Sequence, residues 1–180
     1  MKKSNKALTD HTGHELFGQS FKTSNFARNI YRDEELKFFE ALGKDDDLSA
    51  FIRAHLYIER ALRDLLRAKL TNYTPLQRFT FAQIIAVCRA AAIVPPPYTN
   101  SLTFLNTLRN KLAHDLGASL DDDDVKNLYN HLPQITRATF VDKLRSTWEG
   151  HANLWRLSLA AIYLSMLELL GIYKEGKRAM

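Results

Sequence analysis

Cysteine is nearly missing from this chain. Cys88 stands alone among 180 residues, which excludes an internal disulfide and suits a reducing compartment, so a cytoplasmic location is expected. Its neighbours Ile84, Ile85 and Val87 read as an apolar setting, hence a core thiol and not a nucleophile. Metal-ligand spacings are missing too: there is no CxxC, no HExxH and no cluster among the 6 histidines. With 7 glycines and no glycine-rich phosphate loop, P-loop nucleotide hydrolysis is not expected either. No cofactor is therefore anticipated. Runs that alternate apolar and polar residues at strand length are also wanting, which leaves an all-α bundle.

Nor does the start of the chain read as a secretory signal, because Lys2 and Lys3 are followed by polar residues. One stretch, Ala152 to Tyr173, has the length of a membrane span. Arg156 and Glu168 interrupt it, and Asn153, Ser158 and Ser165 add polar groups. It reads as the central helix of a bundle, with no membrane partner. Neither an internal repeat nor a low-complexity tract divides the chain. Residues 31–180 read as one domain and residues 1–30 as an arm, with Phe17, Phe21 and Phe26 available to pin it. The net charge of +5 permits a polyanionic partner without requiring one.

What is present is helical periodicity. A short helix is expected from Asp33 to Leu42, ended by Gly43. Asp45 to Asp47 then supply an N-cap for a long helix reaching about Leu70. Its apolar positions Leu48, Ile52, Leu56, Leu62, Leu66 and Leu70 recur at three- and four-residue intervals, while Arg53, Arg60, Arg63, Arg67 and Lys69 make a basic side. Thr80 to Ala92 reads as a third helix, and Pro95-Pro96-Pro97 as an extended connection. Asn100 or Ser101 is the expected cap of the next helix, which ends near Asp115. Asp121 to Asp124 cap another through His131, stopped by Pro133. An irregular or short helical piece covers 134–146, and the long apolar helix closes the fold.

The chemically specific segment is Leu108-Arg109-Asn110-Lys111-Leu112-Ala113-His114. It combines a fixed cation, an amide that orients by hydrogen bonding and a proton shuttle, which are the groups that metal-free phosphodiester cleavage needs. Asn110 and His114 lie one turn apart, but on a regular helix Arg109 is rotated from His114 by about 140°. The groups converge if the helix loosens at His114, or if a second copy supplies the opposite wall of a two-fold cleft. His55 and Glu59, one turn apart on the inward side of the long helix, are candidates to orient Arg109 or Asn110, with a structural hydrogen bond between them as the role that ranks first. The basic residues Arg53, Arg60, Arg63, Arg67, Lys69 and Lys111 are candidates to track an RNA backbone, although a run of this kind is more often a solvated face. Purely structural roles stand beside these: Arg109 can pair with Asp115, Glu59 or the acidic run, and His114 can cap the helix C-terminus. Arg145 and His151 form a second Arg-to-His pair, but it lacks the amide and Gly150 interrupts it, so it reads as coincidence.

The segment LRNKLAH resembles the signature of the HEPN superfamily: arginine, a polar residue, three residues, then histidine. The upstream run FIRAHLYIERALRDLLRAKL resembles the first long helix of the same bundle, and the helix order is similar over roughly residues 35–175. Within the superfamily the mannitol operon repressor family and its relatives are the nearest in likeness. The resemblance implies two long helices with a motif-bearing helix beside them. It implies a dimeric, metal-independent endoribonuclease of toxin or defence type, with RNA as substrate and an antitoxin or regulatory protein as partner. In that reading His114 is general acid or base, Arg109 binds the scissile phosphate and Asn110 orients. The alternative it implies is a non-catalytic regulator or interaction module. Sequence-specific DNA binding ranks last, for want of a helix-turn-helix with a polar recognition helix.

Overall fold

The computed structural model describes residues 33–44, 46–115, 117–142 and 154–178. The expected arm at 1–30 and the Arg145–His151 pair lie outside the described residues. The elements are α1 (Asp33–Lys44), α2 (Asp47–Lys69), a 3-10 turn (Thr74–Leu76), α3 (Phe81–Ala90), α4 (Pro96–His114), α5 (Asp122–His131), α6 (Gln134–Thr136) running into a π turn (Arg137–Val141), and α7 (Leu154–Arg178). No strand occurs among the described residues, so the fold is all-α.

Capping side chains set most of the starts. Asp46 accepts the Ser49 N–H at 3.0 Å and begins α2. Thr80 with Gln83 and Asp121 with Asp124 form reciprocal capping boxes at α3 and α5. The proline run behaves differently from expectation. Pro95 is the N-cap of α4, and Pro96 and Pro97 occupy its first turn, so Asn100 and Ser101 lie inside the helix rather than capping it. The first helical N–H groups have no intrahelical acceptor, so proline loses nothing there and its fixed φ suits the turn. Gly43 likewise lies within α1 instead of ending it.

The end of α3 is set by geometry without a glycine. Ala92 adopts φ 50°, the Ala92 N–H reaches the Arg89 carbonyl at 3.1 Å, and the Ile93 N–H reaches the Cys88 carbonyl at 2.9 Å. This is a Schellman closure with alanine in the left-handed position. Cys88 itself is buried, and burial pushes its thiol up to about 12, as a core cysteine requires.

The core sits where α7 crosses α2. Phe51, Ile58, Leu62, Leu65 and Leu66 of α2 and Leu102 and Leu105 of α4 are fully buried, as are Leu159, Ala160 and Met166 of α7. Each such large side chain contributes about 1.5–3 kcal/mol by leaving water. Phe38 of α1 stacks on Tyr163 of α7 with centroids 4.1 Å apart. Leu154–Gly171 is long and apolar enough to cross a membrane by composition, and 72% of that window is buried inside the fold. Arg156 is tolerated there because its guanidinium donates to the Leu42 carbonyl and to Asp47 Oδ1, the latter at 2.7 Å, and lies over the Trp155 ring. Two expected stripe residues of α2 fall elsewhere. Leu48 is 43% and Leu56 56% exposed, since they lie on the opposite edge of the helix from Phe51, Ile58 and Leu65.

Candidate functional site: a polar cleft between two helices

Residues four apart on a helix share a face. On α2 this brings His55, Glu59 and Arg63 into one row; on α4 it brings Asn106 together with Arg109 and Asn110. The two rows line one cleft of about 500 Å³, closed on a third side by Phe79, Thr80, Phe81 and Ala82.

Arg63 is the scaffold of this cleft. Its Nε and Nη2 donate to Glu59 Oε1 at 3.0 and 2.6 Å, and Nη2 also donates to the Phe79 carbonyl at 2.6 Å. Its Nη1 is 3.5 Å from both the Gln77 carbonyl and the Tyr73 hydroxyl. Arg63 is therefore half-buried and turned inward, not part of an exposed basic side. One guanidinium fixes both the carboxylate and the aromatic lip.

His55 is only 2% exposed and meets the Phe81 ring edge-on at 4.5 Å. Its Nε2 is buried with no hydrogen-bond partner. Burial pushes its pKa down to about 4; Glu59 pulls the other way, and Arg109 adds to the depression. The ring is neutral at neutral pH.

Arg109 is half-buried at the cleft and donates from Nη1 to Asn110 Oδ1 at 3.1 Å. It makes no ion pair among the described residues, so none of the structural partners open to it in sequence (Asp115, Glu59, the acidic run) is taken. His114 is different. The helix stays regular to its last residue, His114, which is exposed and outside the cleft. No loosening of the helix end brings it to Arg109 within one chain. It makes no side-chain hydrogen bond among the described residues and lies in the last turn of the helix, where a cation is favoured.

The basic residues divide. Lys111 bonds Asp124 at 2.6 Å and Asp121 at 3.1 Å, bonds that raise its pKa and fasten α4 to the start of α5. Arg67 pairs with Asp64 at 2.8 Å and lies over the Tyr73 ring. Arg53, Arg60 and Lys69 are exposed along α2. Among the described residues no three His, Cys, Asp or Glu side chains converge as a metal site requires.

The structure thus joins Arg109 and Asn110 with Glu59 and His55, and leaves His114 apart. Asn106 and the Phe79–Ala82 lip were not singled out from sequence. Asn106 had a signal, since it precedes Arg109 and Asn110 by one turn on the same face; the lip had none. Comparison with protein-family models, curated proteins and solved structures finds no match to this chain.

Proposed function

We propose that this chain is a metal-independent endoribonuclease of HEPN type, of the toxin or defence kind, whose site is completed across a two-fold dimer. The observation that carries the reading is the state of Arg109. It is a half-buried arginine at a polar cleft whose one side-chain hydrogen bond among the described residues goes to Asn110, and no described carboxylate pairs with it. Such a cation is suited to a phosphate, which takes the planar guanidinium fork well.

In this reading an imidazole takes the proton of the RNA 2′-hydroxyl as its oxygen bonds to phosphorus. The 5′-oxygen leaves with a proton, and the products are a 2′,3′-cyclic phosphate and a 5′-hydroxyl end. Arg109 offsets the charge that builds on the phosphate oxygens. His114 of the same chain lies about 140° around the helix from Arg109, so the imidazole comes from the second copy. The test is total RNA incubated with the purified protein in EDTA beside His114→Ala. Cleavage with cyclic ends, lost in the variant, is the expected result; intact RNA with a folded protein rejects the reading.

A second reading, an interaction module like the mannitol operon repressor family, draws support from a different place. Leu48, Ile52 and Leu56 form a row one turn apart on α2, with Leu48 and Leu56 exposed. A regulatory protein or cognate antitoxin is the partner such a row suits.

A further inference from the structure

Phosphate binding at Arg109 leaves the other residues of the cleft unused. The cleft also holds a carboxylate, a buried imidazole and two amides, from Glu59, His55, Asn106 and the exposed Asn110, beside Phe79 and Phe81. A buried polar side chain such as His55 normally has a partner. Here His55 Nε2 has none. Glu59 takes both of its bonds from Arg63 on Oε1, and Oε2 carries no hydrogen bond among the described residues. Asn106 likewise makes no side-chain hydrogen bond there.

We infer that this part of the cleft is a base-recognition pocket, and that the base it takes is the guanine of a single-stranded RNA whose phosphate lies at Arg109. The inference rests on the reading of Arg109 as a phosphate anchor. Three features carry it. The volume suffices for a nucleotide, since ligand pockets run from about 300 to 1,000 Å³. Phe79, half-buried at the lip, offers apolar surface for the face of a flat heterocycle, the common way single-stranded bases are held, with the buried Phe81 behind it. The polar set then discriminates among bases. A carboxylate only accepts hydrogen bonds.

Guanine alone presents two adjacent donors, N1–H and the N2 amino group, along its Watson–Crick edge. Adenine sets the N1 lone pair beside its amino group, cytosine sets N3 beside its own, and uracil flanks one N–H with two carbonyl oxygens. Each of those three turns an acceptor toward Glu59. On the other edge of guanine, O6 and N7 are acceptors. The amide N–H groups of Asn106 and Asn110 and the imidazole N–H of His55 are donors of the kind those atoms need. Arg63, by holding Glu59 through Oε1, keeps Oε2 available and positions the carboxylate.

The experiment is calorimetric titration of the full chain with GMP, AMP, CMP and UMP, repeated on Glu59→Gln and Asn106→Ala. GMP is expected to bind about tenfold or more tighter than the other three, within the range one bidentate base contact discriminates. Both variants are expected to bring the four affinities together. Asn106→Ala guards against loss of fold in the Glu59 variant, because the Asn106 side chain makes no hydrogen bond among the described residues. Equal binding of all four nucleotides, no binding, or an unchanged preference in a folded Asn106→Ala protein overturns the pocket. Single-stranded oligonucleotides carrying one guanine separate the two readings. Cleavage regardless of base, with no GMP preference, overturns the pocket and leaves the nuclease. GMP preference with uncut RNA overturns the nuclease and leaves the pocket.

Discussion

Arg63 Nη2 lies 2.6 Å from Glu59 Oε1 and donates at the same distance to the Phe79 carbonyl, so one side chain couples the carboxylate of α2 to the loop that forms the cleft's lip. Without it, a half-buried carboxylate and a half-buried carbonyl lose their donor together.

Arg63→Ala is expected to lower stability in urea unfolding by about 2–3 kcal/mol, the range for charge-assisted hydrogen bonds at a partly buried site. Arg63→Lys should recover only part of this, because an ammonium lacks the fork that spans both acceptors. A loss under about 0.5 kcal/mol for Arg63→Ala would mean that the loop is held by other contacts.

The placement of Arg109 and His114 leads to a complementation experiment. Arg109→Ala and His114→Ala should each abolish RNA cleavage, and neither should cost more than about 0.5 kcal/mol in stability, because neither side chain is fully buried or ion-paired among the described residues. Mixing the two inactive proteins, with subunit exchange, should restore part of the activity, since a mixed dimer carries one intact Arg109–His114 pair across its interface. Failure of exchanged mixed dimers to cut RNA would reject the shared site.

His55 gives stability a pH dependence of definite sign. Its folded pKa of about 4 lies below its ordinary value of 6.5, so between these values the unfolded chain binds the proton and the folded chain does not. The stabilisation is complete above pH 6.5 and is lost as pH falls toward 4. The whole difference is worth about 3 kcal/mol. His55→Leu should flatten the unfolding free energy between pH 7 and pH 5 relative to the parent. An unchanged slope would place the titration in other groups.

Ala92 holds a left-handed backbone with φ 50° at the close of α3. Ala92→Gly should remove the Cβ clash at the expense of a more flexible unfolded chain, for a net gain of about 0.5–1 kcal/mol. A loss of stability, read from the thermal midpoint, would show that the alanine is not strained there.

Sequence alone determined the all-α class, the extent of α2 and α5, and the burial of α7, because those follow from apolar periodicity and from capping acids such as Asp46 and Asp121. It also picked out Arg109, Asn110, Glu59 and His55, since their types and spacing are local facts. It misread the proline run because a helix start and an extended break share the same composition, and only the path of the chain distinguishes them. The end of α3 was expected at Ala92, close to the observed Ala90, but the device that closes it was illegible: alanine takes the position usually marked by glycine. Which residues meet was a tertiary decision. Arg63 looked like one more cation on an exposed face until the loop at Tyr73–Phe79 folded back and gave it carbonyls to bind. Asn106 gained significance only when α4 packed beside α2. His114 was separated from Arg109 by the regularity of the helix itself, a backbone hydrogen-bond pattern that persists to the last residue and leaves the imidazole facing away from its own cleft.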